Sequence, residues 1–165
     1  MKPNHRGFTL VEVMSVTAII GLLTALAMPN LLRMRMNANE AAAQATLKTI
    51  HTALTEYNAV QTPATYPQDL ATLSNDNPPY LTTAITDNSM THSIPIMVLP
   101  PSSTGYKGYV FIYAPVVRGN RVDDYRIAAI PKTGSRYFMM DASGNIIDID
   151  YCDVVTGVGS VDDTC

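Results

Sequence analysis

Phe8-Thr9-Leu10-Val11-Glu12, followed by an apolar run to Pro29-Asn30-Leu31-Leu32, decides the fold of this chain. From Val13 to Leu32 there is no charged residue. A helix needs roughly 20 apolar residues to cross a bilayer, so the run is read as a membrane-spanning helix. Glu12 is the one carboxylate at its start. An ionisable group at such a position is costly and therefore a functional candidate.

The seven residues before the run, Met1–Gly7, carry Lys2 and Arg6 and no acid. A secretory signal places a small-residue cleavage site after its apolar region. Asn30-Leu31-Leu32-Arg33-Met34-Arg35 offers no such site, so the apolar segment is expected to persist in the mature chain. Lys2 and Arg6 flank one end of the span and Arg33 and Arg35 the other, so the positive-inside count does not decide its orientation.

Gly7-Phe8-Thr9-Leu10-Val11-Glu12 resembles the processing motif of type IV prepilins and type II secretion pseudopilins. The resemblance implies cleavage between Gly7 and Phe8 by a prepilin peptidase on the cytoplasmic side, with N-methylation of the new terminus at Phe8. It also implies that Glu12 neutralises the terminal amine of a neighbouring subunit during assembly. Gly21 and Pro29 match positions that bracket a stretch able to unwind in the filament. The leader resemblance puts the N-terminus in the cytoplasm. A local reading of Glu12 stands beside the intermolecular one: Thr9-x-x-Glu12 fits a capping box, in which the Glu side chain reaches back to a free backbone N–H.

Glycine and proline mark the end of the helix. Neither occurs between Asn30 and Thr62, and Asn39–Lys48 is rich in helix formers. Ala43, Leu47, Ile50, Leu54 and Tyr57 fall on one helical face, while Lys48, His51 and Thr55 point elsewhere. One helix is expected from Phe8 to about Asn58, roughly 75 Å long at 1.5 Å per residue, kinked at Pro29. Its first half serves as membrane anchor and, by the resemblance, as filament core. Ala18, Gly21 and Ala25 allow close helix approach there. Its second half packs an apolar stripe on a head.

Seven prolines between Val60 and Gly105 preclude long regular elements. One short helix opened by Pro67 and a short strand at 96–99 are expected in this connecting region. After Tyr106 the texture turns to β. Four strands are predicted, at 109–113, 125–130, 136–140 and 146–149. Arg118-Gly119-Asn120, Pro131-Lys132-Thr133-Gly134 and Asp141-Ala142-Ser143-Gly144-Asn145 are the turns between them. Strands so close in sequence favour an antiparallel meander with one face on the helix stripe.

The fold class is thus α+β: a long N-terminal helix packed on an antiparallel, about four-stranded meander, as in type IV pilins. Its parts are a leader at 1–7, a transmembrane and filament-core helix at 8–32, and an amphipathic continuation at 33–58. A connecting region at 59–105 and a sheet head at 106–165 follow.

The 165 residues carry a formal charge of −3. Without Lys2 and Arg6, nine basic face fourteen acidic residues, a balance of −5. No basic patch suggests nucleic-acid contact. Cys152 and Cys165 form no CxxC pair. If the head lies outside the cytoplasm, as the resemblance implies, a disulfide between them is expected; two free thiols are the alternative. Such a bond closes a C-terminal loop like that of type IV pilins and stabilises by about 3 kcal/mol on the chain-entropy estimate.

Asp148, Asp150, Asp153, Asp162 and Asp163 could serve as calcium ligands, as in some pseudopilins. A solvated turn and tail is the preferred reading, so no cofactor is assigned. His5 belongs to the leader, and His51 and His92 are isolated. No GxSxG, Walker loop or HExxH occurs, and no enzyme is expected.

The reading is a type IV pilus subunit, a self-polymerising protein that starts as a single-pass inner-membrane precursor. Its partners are its own copies, the membrane, the peptidase and the inner-membrane assembly machinery. A secretion pseudopilin in a periplasmic pseudopilus, or a minor tip subunit acting as a binding module, are the alternatives.

Overall fold

A computed structural model describes residues 8–86, 89–91, 105–132 and 136–149. The chain divides into two compact units, 1–38 and 39–165. Helix α1 covers Leu10–Val60, within two residues of the expected limits, and its helical assignment is continuous through Pro29. In the first unit it buries nothing: Phe8 to Ala38 are all exposed. The apolar composition there is all-round, as a lipid-facing helix requires.

In the second unit the helix is amphipathic. Ala43, Leu47, Ile50 and Leu54 are buried, joined by Ala53 and Thr46, and Tyr57 packs at the margin of the core. The connecting region forms two short helices, α2 at Ala71–Asn75 and α3 at Thr83–Thr86. The short helix expected at Pro67 begins later, because Asp69 supplies the turn. Its Oδ1 accepts from the Thr72 backbone N–H and hydroxyl, both at 2.8 Å. This places the acceptor where the first turn has orphan donors. The strand expected at 96–99 lies outside the described residues.

The sheet has five strands: β1 Ser89–Thr91, β2 Tyr109–Arg118, β3 Arg121–Pro131, β4 Tyr137–Asp141 and β5 Ile146–Ile149. Their spatial order equals their sequence order. β2 to β5 form the antiparallel meander read from the sequence. β1 is an addition: it pairs parallel to β2, with Ser89 beside Phe111 and Thr91 beside Tyr113. β2 and β3 are longer than predicted because they pair out to Arg118↔Arg121 across the Gly119-Asn120 turn.

The main core joins the helix stripe to one sheet face: Leu47, Ile50 and Leu54 with Phe111, Tyr113, Tyr125, Ile127 and Phe138. The other sheet face is apolar as well, with Val110, Ile112, Ala128, Ile130 and Ile149 forming a second buried cluster. Residues Tyr109–Ala114 of β2 are therefore buried on both faces. This explains why that strand reads as a continuous apolar run rather than an alternating one.

Tyrosine hydroxyls inside the head find partners. Tyr113 Oη donates to the Pro67 carbonyl at 2.7 Å. Tyr125 Oη lies 2.6 Å from His51 Nδ1. The rings of Tyr66 and Tyr125 meet edge to face at 4.8 Å between centroids. His51, read as pointing away from the core, instead bridges α1 to β3. Gly144 makes room for it: its φ is +80°, and a Cβ there would meet His51 Nε2 at 3.0 Å. Both the turn geometry and the close approach require glycine.

Burial pushes the Tyr113 and Tyr125 hydroxyls well above the ordinary phenol range, with neighbouring tyrosines and acids adding to the effect. Tyr66 is raised for the same main reason. Groups raised in the folded state stabilise fully below the unfolded value, about 10, and lose that contribution as pH climbs above it. The tyrosine contribution to stability of the folded chain in detergent should therefore be constant below about pH 9.5 and be lost above about pH 10. Tyrosinate absorbance should show some of the nine tyrosines ionising only as near-UV dichroism is lost. A single reversible titration of all nine, with the head still folded, would contradict the buried cluster.

Candidate processing and assembly site

Thr9 and Glu12 form the start of α1, and they do so reciprocally. Glu12 Oε2 accepts from the Thr9 backbone N–H at 3.0 Å and from the Thr9 hydroxyl at 3.0 Å. The Glu12 backbone N–H in turn donates to Thr9 Oγ1 at 3.2 Å. This is the capping box that the Thr9-x-x-Glu12 spacing allows. The box uses only atoms of residues 9 and 12. Cleavage after Gly7 would leave all of them in place, since Thr9 keeps its amide to Phe8. The proximity of a new terminus is thus no obstacle to the cap.

The cap and the intermolecular role are compatible. The box engages Oε2, and Glu12 Oε1 has no hydrogen bond among the described residues. Phe8, the residue that cleavage would expose, is itself 87% exposed. It flanks a shallow groove with Glu12, Val13 and Val16. The Glu12 carboxylate, Phe8 and the apolar groove therefore sit together at one end of the helix.

Gly21 is bare on the helix surface, with no atom within 4 Å of where a Cβ would sit. It leaves a notch that no part of the described chain fills. Pro29 lacks an N–H, so the Ala25 carbonyl loses its ordinary helical donor. The backbone between these positions remains helical here. Gly7 and the pair Cys152 and Cys165 lie outside the described residues.

One polar cluster escaped the sequence reading. Glu40, the first buried residue of α1, accepts from Arg136 at 2.8 Å, and Arg136 also reaches Asp148 at 3.2 Å. The guanidinium fork thereby ties the helix to β4 and β5. The two carboxylates hold Arg136 charged, raising its already high value. Glu40 reads in sequence as an ordinary helix former, and its partner lies 96 residues away; no local signal joins them. Among the described residues no group of three His, Cys, Asp or Glu side chains is placed to hold a metal ion. Of the acidic candidates at the C-terminal end, only Asp148 is described, and it is engaged by Arg136.

An apolar N-terminal helix opened by a Thr–Glu cap, continuing into a stripe packed on an antiparallel sheet, is an α+β arrangement consistent with the type IV pilin fold. Residues 2–28 match the family described as the prokaryotic N-terminal methylation motif, and the chain carries that motif. Over 51 residues it is 45% identical to the type IV major pilin protein PilA of Myxococcus xanthus (strain DK1622). The aligned region covers 31% of this chain and 23% of that pilin, so the chain spans about a quarter of the relative's length. No solved structure matches the chain.

Proposed function

We propose that the chain is the structural subunit of a type IV pilus. It enters the inner membrane as a single-pass precursor, is cut between Gly7 and Phe8 and methylated at Phe8, and polymerises through its N-terminal helix. The prepilin peptidase and the inner-membrane assembly machinery are its partners on the way to an extracellular filament. The observation that carries this reading is the uncovered apolar helix. From Leu10 to Leu32 every side chain is exposed, although the stretch is apolar enough to span a membrane. Such a surface must be covered by lipid in the precursor and by copies of itself afterwards. Copies related by repeated heterologous contacts make an open filament.

The same features support a secretion pseudopilin in the same architecture. The Cys152 and Cys165 pair favours the pilus reading, through the closed C-terminal loop it would form. Mass analysis of sheared surface filaments tests the proposal directly. The expected product lacks Met1–Gly7 and carries one methyl group on Phe8. Abundance of that product in the filaments makes this the major subunit; trace amounts make it a tip subunit. Retention of Met1–Gly7 in material that never polymerises would refute the proposal.

A further inference from the structure

Arg33 and Arg35 are the only charged residues between Glu12 and Glu40. Both are exposed, and among the described residues neither has a hydrogen bond or ion pair. They follow the charge-free interval immediately. Glu12 and Arg33 are 21 positions apart, roughly 32 Å along a helix, against a hydrocarbon core of about 30 Å. With Glu12 at one face of the bilayer, the two arginines therefore stand at the phosphate level of the other.

We propose that Arg33 and Arg35 form a phosphate-binding collar for anionic phospholipid headgroups in the leaflet facing the head. This rests on the membrane-inserted precursor proposed above. Arginine suits the task because its planar fork matches phosphate bidentately. Residues two apart on a helix point about 200° away from each other. The pair thus gathers headgroups on opposite sides of the stalk rather than sharing one. The charge balance of the remainder gives the collar a purpose. From Asn39 onward the sequence has seven basic and thirteen acidic residues, so an anionic membrane surface repels it. Two arginines at the water boundary supply a local attraction that keeps the precursor seated until it is withdrawn for assembly.

The chain has no tryptophan, which makes the collar measurable. Full chain carrying Met34→Trp is reconstituted in phosphatidylcholine vesicles containing some phosphatidylglycerol. Energy transfer from the indole is read to dansyl on the headgroup of either lipid. The expected result is enrichment of phosphatidylglycerol over phosphatidylcholine at the stalk, by about fivefold per arginine. That enrichment is expected to vanish in Arg33→Gln/Arg35→Gln and to weaken with salt. Equal transfer from both lipids, or enrichment that survives the double substitution, overturns the collar. Equal transfer combined with loss of filaments in the double variant would reassign the arginines to carboxylates of a neighbouring copy. A chain that fails to enter vesicles at all, with or without the arginines, would sink the membrane-inserted precursor and the collar together.

Discussion

Glu12→Ala is expected to leave the chain in the membrane fraction and to abolish filaments, whereas Glu12→Gln separates the two roles of this side chain. The carboxylate caps the helix through Thr9 with one oxygen and has the other available. Cleavage after Gly7 would create a cationic amine at Phe8, and a bundle of apolar helices is a poor solvent for either charge alone. Gln can still complete a capping box, but it cannot neutralise an amine. If the cap were the whole role, Glu12→Gln would assemble normally and only Ala would suffer. If the charge pair sets the assembly register, both variants fail. The second outcome is expected, with sheared-filament yield down roughly a hundredfold or more, because an apolar contact then holds an uncompensated ammonium group. Membrane fractionation supplies the control: loss of one surface carboxylate does not hinder insertion of a helix whose remaining span is uncharged. Normal filaments from both variants would remove the assembly role.

The features legible in sequence are those whose signal is local. A charge-free run is visible without knowing any partner, and so are its Thr–Glu start and its basic flank at Arg33 and Arg35. The meander is legible because Gly119-Asn120 and Asp141–Asn145 punctuate it, and because neighbouring strands pair in sequence order. The helix stripe is readable from Ala43 to Tyr57 because its period is set by the helix alone. What escaped depends on distant pairing. Ser89-Met90-Thr91 has neither length nor alternation, and becomes a strand only because β2 offers it an edge. Thr83–Thr86 is too short and too β-branched to announce a helix. His51 lies off the apolar stripe, and its hydroxyl partner Tyr125 lies 74 residues on. The Glu40–Arg136–Asp148 cluster is invisible for the same reason. The proposed processing site would be the converse: a peptidase that reads a short segment needs a local mark, and a local mark is legible in sequence.

Leu47→Ala should cost the head about 2–5 kcal/mol, a large share of the roughly 5–15 kcal/mol that holds a domain folded. Leu47 is fully buried in the core that joins α1 to the inner sheet face. Truncation removes transfer energy and leaves a void beside Ala43 and Ile50 on the same stripe. The surrounding groups have little freedom to close it, because Tyr113 is tied to the Pro67 carbonyl and Tyr125 to His51. Lys48→Ala, one residue further on and exposed, should stay within about 0.5 kcal/mol of the parent. Thermal melting in detergent separates the two units spectroscopically. Tyrosine near-UV dichroism reports the head, where all eight described tyrosines belong to its core or sheet neighbourhood, while far-UV dichroism also sees the apolar half of α1. Leu47→Ala should bring the near-UV transition down markedly and leave a helical signal from the first unit in place. That signal persists because Leu10–Leu32 owes its helicity to the micelle and not to the head core: in an apolar surrounding every backbone group must be paired within the helix itself. If both signals vanish together at the lowered temperature, the two units fold as one and the helix depends on the sheet throughout its length.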